Sequence, residues 1–330
     1  MNTDLPKVLV TGAAGFVGRA LVSELLIKGY RVKALVRKVC GELPVEAGQV
    51  VGDLTALVDG DSSAFPRNDR VGLGGSMFAG VDVVVHLAAR VHVMDDTDQN
   101  PLASYRATNL DATLNLARQA ADARVKRFVF ISSIKVNGEG GDAAYREIDA
   151  PAPADAYAIS KWEAEQGLWR IARETGLEVV ILRPPLVYGP GVKANFLRLM
   201  QLIQKGWPLP LGAVCNRRSL LYLGNFVHAI RLCVEHPAAA GQTFLLDDGE
   251  AVSTPDLIRA VAHAMGRTAR LLAVPVRVIE FAGVLLGKRA AITRLTGSLW
   301  VDSSLIRSQL NWTPPYSMEA GLAATVASLQ

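Results

Sequence analysis

The sequence predicts an α/β protein: a doubly wound parallel sheet with a smaller, partly interleaved α/β substrate domain. Two observations carry this. Apolar runs of strand length alternate with amphipathic helical stretches through the first half of the chain. The strands read as nearly continuous apolar segments, which is the pattern of a parallel sheet covered by helices on both faces.

Taken in order, "KVLVTG" (7–12) is the first strand. "GRALVSELLIKG" (18–29) has helical spacing and stops at Gly29. "RVKALVR" (31–37) is the second strand, and a third precedes "GDL" (52–54). "VDVVVHLAA" (81–89), "RFVFISS" (127–133) and "EVVILRPP" (178–185) are further buried strands, with long helices at 104–123 and 156–176 between them. A crossover helix is expected near 59–76, but "DGDSSAFPRNDRVGLGGS" has the Gly, Ser, Asp and Pro content of a loop. After about residue 190 the pattern is irregular, with helices near 225–237 and 254–266 among short extended pieces. This divides the chain into a dinucleotide-binding unit, 1–190, to which later segments return, and a mainly substrate-binding region, 191–330.

Composition removes several function classes. Half of the residues are hydrophobic and a fifth are charged, so a packed core is expected rather than disorder. The net charge of +4 is spread along the chain with no dense basic run, which argues against nucleic acid and suits a small anionic ligand. Cys40, Cys215 and Cys233 have no metal-ligand spacing and cannot all pair, so no metal is expected and a reducing, cytoplasmic setting is. The N-terminus is not that of a signal peptide, and no apolar run reaches membrane-spanning length. The nearest, "VIEFAGVLLG" (278–287), is short and carries Glu280, and a buried helix is expected there in preference to a membrane contact.

Gly12, Gly15 and Gly18 lie between the first strand and the first helix. In that context Gly12 permits a tight turn, Gly15 lets backbone approach a pyrophosphate, and Gly18 allows close helix–strand packing, as in a Rossmann-type dinucleotide site. The second strand ends Val36-Arg37-Lys38, with no acid to bind an adenosine 2′-hydroxyl. Arg37 suits a 2′-phosphate instead, so NADP(H) is the preferred cofactor, with NAD(H) possible. Asp53 is the candidate for the adenine amino group.

Ser133 ends a buried strand at the carboxyl edge, where doubly wound sheets bind ligands. Tyr157 and Lys161, four apart on one helix, share a face. The ammonium of Lys161 is expected to favour the phenolate and pull the Tyr157 pKa toward neutrality.

The motifs "TGAAGFVG", "GDL", "HLAA", "ATN" with Asn109, "SS" with Ser133, "YAISK" and "RPPLVYGPG" occur in the order and spacing of the extended short-chain dehydrogenase/reductases, which the chain resembles over nearly its whole length. The resemblance implies catalysis by Ser133, Tyr157 and Lys161. It adds Phe16, Val17, Leu54, Leu87, Ala88, Ala89 and Pro184 to the cofactor contacts. Segments around "RPPLVYGPG", "NF" and "RRSLLYLGNFVHAI" are similar to those that hold the nucleoside diphosphate in UDP-sugar 4-epimerases, implying a UDP-sugar substrate near Asn195, Arg218 and Arg294. It also implies a homodimer through helices 104–123 and 156–176, where Leu114, Leu116, Leu168 and Ile171 serve either the contact between copies or the core of the single chain.

The chain departs from the epimerase pattern at Val36-Arg37, at Asn137 and at Leu186. "HLAARVHVM", "SSIKVNGE" and "LNWTPPYS" are closer to bacterial UDP-4-keto-6-deoxy-N-acetylglucosamine 4-reductases, which make UDP-N-acetylquinovosamine for surface polysaccharide. The leading expectation is therefore NADPH-dependent reduction of a UDP-4-keto sugar, with NAD-dependent UDP-sugar 4-epimerisation as the alternative. A 4,6-dehydratase needs an acid/base pair beside the tyrosine, but Ile134 and Lys135 follow Ser133. A redox-sensing regulator is disfavoured because both Tyr157 and Lys161 are present.

Overall fold

The computed structural model describes residues 5–55, 77–91, 100–287 and 289–329. The expected loop at 59–76 lies outside the described residues.

The first part of the chain runs β1 (Lys7–Thr11), α1 (Phe16–Ile27), β2 (Arg31–Val36), β3 (Gly48–Val51), β4 (Val83–His86), α2 (Pro101–Arg106), α3 (Ala112–Asp122), β5 (Arg127–Ile131), α4 (Ala156–Thr175) and β6 (Glu178–Arg183). It continues through β7 (Leu186–Tyr188), α5 (Ala194–Gln204), β8 (Leu220–Tyr222), α6 (Leu223–Glu235) and β9 (Thr243–Leu245). Helices α7 (Thr254–Ala264), α8 (Val276–Leu285), α9 (Arg289–Thr296), α10 (Ser304–Leu310) and α11 (Met318–Ala327) complete it.

Seven strands form one sheet in the order β3-β2-β1-β4-β5-β6-β9, every pair parallel. The chain moves outward from β1 to β3, then crosses back to lay β4 on the other side of β1. That reversal is the switch point at whose carboxyl ends ligands of such sheets sit. Thr11 pairs in register with His86, and His86 with Phe130, so these residues line up along that edge.

The period-2 pleat sends neighbouring strand residues to opposite faces. Val8, Val10 and Val85 join Leu21 and Leu25 of α1 and Phe226 and Ile230 of α6 in one core layer. Leu9, Val84 and Phe128 join Leu116 of α3 and Leu168 and Ile171 of α4 in the other. Thus β9 and α6, both from the second half, complete the sheet and one of its layers. A third cluster, with Tyr188, Phe196, Met200, Ile258 and Leu322, packs α5, α7 and α11 around the two-stranded β7-β8 pair.

The long helix expected over 104–123 is interrupted: a π-helical turn, Ala107–Asp111, joins α2 to α3 and turns Asn109 inward. Of the residues that could serve a dimer contact, Leu116, Leu168 and Ile171 are fully buried in this chain's own core. Leu114 alone is only partly buried, packed beside Gly167.

The expectation of a buried helix at 278–287 is overturned. One side of α8, with Ile279 and Gly283, packs inward, while Val278, Phe281, Val284 and Leu285 are exposed. Apart from Arg277 and Glu280 the helix is apolar on both sides, but the fold supplies a packing partner for only one face.

Candidate active site

The glycine turn is built as its spacing requires. Gly12 sits at φ +66°, and a Cβ there would lie 2.7 Å from Ala88 N and 2.9 Å from Leu87 C. Only glycine lets the end of β1 approach the end of β4 so closely. At Gly18 a Cβ would fall 2.2 Å from Gly12 O, so its absence seats α1 on the turn. Gly15 is the N-cap of α1, with no side-chain cap and no acid in the first turn. The first N–H groups of the helix are therefore not taken by a capping side chain, and no carboxylate repels an anion. Phe16 and Val17 pack partly buried against the core. This bare-backbone turn fits a dinucleotide pyrophosphate.

Behind the turn lies a buried network that the sequence reading missed. Ala88 N donates to Thr11 Oγ1 at 3.2 Å, Thr11 Oγ1 meets His86 Nδ1 at 2.7 Å, and His86 Nε2 meets Thr113 Oγ1 at 2.9 Å. Burial, with the nearby Lys161 charge, pushes His86 down to about 3, so the ring is neutral and ties β1, β4 and α3 together. Leu87 packs on the core, and Ala88 and Ala89 are partly exposed beside it.

Arg37 is exposed at the end of β2. Asp53, also exposed, accepts from Thr55 N at 3.0 Å and Thr55 Oγ1 at 2.8 Å. Its carboxyl is held below the usual range first by those hydrogen bonds and then by the Arg37 charge. Arg37 and Asp53 thus occupy one rim, and Leu54 turns toward the core.

At the centre, Ser133 caps a short 3-10 turn, Ile134–Val136, accepting from Lys135 N at 3.2 Å. Asp155 is the N-cap of α4 and accepts from Ala158 N at 2.8 Å, which places Tyr157 in the first turn of the helix. The Ser133 side chain lies close enough to the Tyr157 phenol to favour its ionised form. Lys161, one turn on, is buried and donates to Ile131 O at 2.8 Å, its Nζ 4.4 Å from the centre of the Phe130 ring. Asn109 donates to Arg90 O at 3.0 Å and Ser160 Oγ at 3.0 Å and accepts from Arg90 N at 2.8 Å, bracing α4 against the segment after β4.

The expected depression of the Tyr157 pKa is not found. Burial pushes the phenol up to about 12, only partly opposed by Ser133. Burial also lowers Lys161 to about 7, against the opposing pull of Glu165. The ammonium is spent on a backbone carbonyl, and desolvation wins over charge stabilisation.

A second missed feature is the buried pair of Glu165 and Arg183. Arg183 donates to Glu165 at 3.0 and 2.5 Å and to Asn137 Oδ1 at 2.9 Å, and Ser132 Oγ donates to the same carboxylate. Glu165 follows Lys161 by four residues, so its place on the inner face was readable from spacing. Its partner at the end of β6 was not. Pro184 is buried next to it and accepts from Ile134 N at 3.1 Å.

Of the phosphate candidates, the structure brings two together. Arg218 Nη1 donates to Arg294 O at 2.5 Å and to Gly297 O at 3.3 Å, joining the approach to β8 with α9. Asn195 is exposed in the first turn of α5.

Together, the switch-point sheet, the bare glycine turn and the serine–tyrosine–lysine cluster define a dinucleotide-dependent α/β enzyme. The chain belongs to the NAD dependent epimerase/dehydratase family, whose sequence model matches residues 8–246. It is 44% identical to a UDP-glucose 4-epimerase of Vibrio cholerae over 98% of this chain and 96% of that protein. The structure of UDP-N-acetylglucosamine 4-epimerase from Bacillus cereus superposes with a TM-score of 0.76 at 20% identity, covering 98% of this chain and 99% of the other. MoeE5, solved in complex with UDP-glucuronic acid and NAD, superposes with a TM-score of 0.74 at 27% identity, covering 98% of each chain.

The lysine makes a testable demand on stability. Its pKa falls from 10.5 to about 7 on folding, so below about pH 7 the full cost of burying the ammonium is present. Between about 7 and 10.5 the unfolded chain holds more protons at this site, so this cost is relieved as pH rises. Urea unfolding of wild type and Lys161→Met is expected to show a stability difference that shifts in favour of wild type from pH 7 to pH 10. A difference flat with pH would show that the lysine is not depressed.

Proposed function

We propose that this protein catalyses NAD-dependent 4-epimerisation of a UDP-sugar. The observation that carries the proposal is the Ser133–Tyr157 pair at the carboxyl edge beside the glycine turn, in a chain whose 44% identical relative is a UDP-glucose 4-epimerase. The MoeE5 structure, with UDP-glucuronic acid and NAD, supports the same cofactor and substrate class.

A bound nicotinamide would supply a reversible hydride acceptor for the sugar C4. The chain's residues handle the proton. Tyr157, at about 12, holds its proton at neutral pH and delivers it to the 4-oxygen during reduction. In the oxidative half Tyr157, as the phenolate, takes the proton released by the sugar 4-hydroxyl, and Ser133 holds the 4-oxygen in reach. Lys161, near neutrality, is available in its charged form to offset the phenolate. Gly12, Gly15 and the first turn of α1 take the pyrophosphate of the cofactor, with Leu87, Ala88, Ala89 and Pro184 lining its path. Arg218 and Arg294 are the candidates for the diphosphate of the substrate, with Asn195 at the start of α5.

Purified enzyme given UDP-glucose or UDP-N-acetylglucosamine with NAD is expected to form the C4 epimer by NMR, with no net cofactor consumption. Tyr157→Phe is expected to stay folded and turn over at least about a hundredfold more slowly, the scale of general acid catalysis. Near-normal turnover of the variant would remove Tyr157 from the mechanism.

A second reading, NADPH-dependent reduction of a UDP-4-keto-6-deoxy-hexosamine, is favoured by one observation. Exposed Arg37 follows β2 where an acid would select the 2′-hydroxyl. On this reading Arg37→Ala weakens NADPH by about tenfold to a hundredfold, the value of a charge-assisted hydrogen bond, and leaves NADH nearly unchanged. Equal weakening of both cofactors, or a wild type that prefers NADH, defeats it.

A further inference from the structure

The exposed side of α8 has no role in the site just described. Val278, Phe281 and Leu285, at positions i, i+3 and i+7, form one stripe, with Val284 and Leu286 beside it. They are 54%, 65%, 71%, 56% and 71% exposed respectively. The opposite stripe, Ile279 and Gly283, packs on α9, where a Cβ on Gly283 would lie 2.6 Å from Ile292. The helix is therefore fixed from behind and presents an apolar ridge outward. A ridge of four large apolar side chains on one short helix, with Leu286 just past its end, is the kind of surface that has a partner.

The charge around it says which partner. From Arg267 to Arg294 the sequence contains six basic residues, Arg267, Arg270, Arg277, Lys288, Arg289 and Arg294, and one acid, Glu280. Among these, Arg267, Arg270 and Arg277 are exposed. An isologous contact between two copies would set the exposed Arg267, Arg270 and Arg277 against their own copies. An anionic lipid surface accepts both parts: the ridge enters the acyl boundary and the arginines meet the headgroups. The helix is too short to span a bilayer, and no described helix is long and apolar enough to do so.

We propose that α8 is a peripheral docking face for an anionic phospholipid membrane, seating the enzyme on the bilayer through Val278, Phe281 and Leu285 with Arg277 at the headgroups. The proposal is independent of which UDP-sugar reaction the site performs. The helix behind the ridge, α9, carries the Arg294 carbonyl that receives Arg218, so the docked face lies one packing layer from the candidate diphosphate site.

Vesicle co-sedimentation tests it. Wild type is expected to pellet with vesicles of equal phosphatidylglycerol and phosphatidylethanolamine, to release as salt rises, and to stay in solution with phosphatidylcholine alone. Phe281→Ser with Leu285→Ser, and separately Arg277→Glu, is expected to lower partition by about tenfold or more, as loss of buried apolar area or of an interfacial charge predicts. Circular dichroism and mass in solution should be unchanged, because these side chains are exposed. Wild type remaining in solution with anionic vesicles, or pelleting equally with phosphatidylcholine, overturns the proposal. So does a drop in solution mass for the double serine variant, which would make the ridge a protein interface.

Discussion

One buried carboxylate holds the candidate site together. Glu165, fully buried on α4, takes Arg183 from the end of β6 and Ser132 from the end of β5. Arg183 reaches on to Asn137, whose side chain donates to Arg146 O at 3.1 Å. Two strand ends, one helix and the loop after β5 are thereby fixed to one another. Ser133 follows Ser132, and Lys161 lies one turn before Glu165, so the separation of serine and lysine is set by this pair. Buried ion pairs add little net stability against a well-packed apolar replacement, while losing one partner costs about 3–5 kcal/mol. The consequence of this pair is positional: an apolar substitute would fill the space without fixing Ser132 and Asn137.

The site itself is a contest between desolvation and charge. Lys161 and Tyr157 share a helix face, and spacing alone suggests that the cation should acidify the phenol. In the folded chain both are withdrawn from water, and burial disfavours the charged form of each. The phenol ends near 12 and the amine near 7, each moved toward its neutral form. The neutral phenol is the form a proton donor needs. His86, also buried and neutral, keeps a further positive charge out of this region.

Much of this was legible in sequence where local chemistry decides it. The turn at Gly12 to Gly18 is fixed by steric needs that only glycine meets, and the Tyr157–Lys161 face follows from helix geometry. Continuous apolar strands announced a sheet covered on both sides. What failed depends on direction rather than pattern. Apolar spacing in α3 and α4 could not say whether Leu116, Leu168 and Ile171 face inward or outward, and they face inward. The apolar run of α8 reads as core because periodicity vanishes when both sides are apolar, yet the fold covers only one. Short β7, β8 and β9 carry three residues each, too few for a periodic signal. The direction of the Lys161 ammonium, toward Ile131 O, is a tertiary fact.

The central claim is that this edge of the sheet moves hydride reversibly between a bound nicotinamide and the sugar C4. Rapid mixing of NAD-loaded enzyme with a UDP-hexose, followed by the absorbance of reduced nicotinamide, tests it most directly. The account predicts a transient rise that decays as the epimer forms. A UDP-hexose that binds yet leaves the nicotinamide oxidised throughout would contradict it.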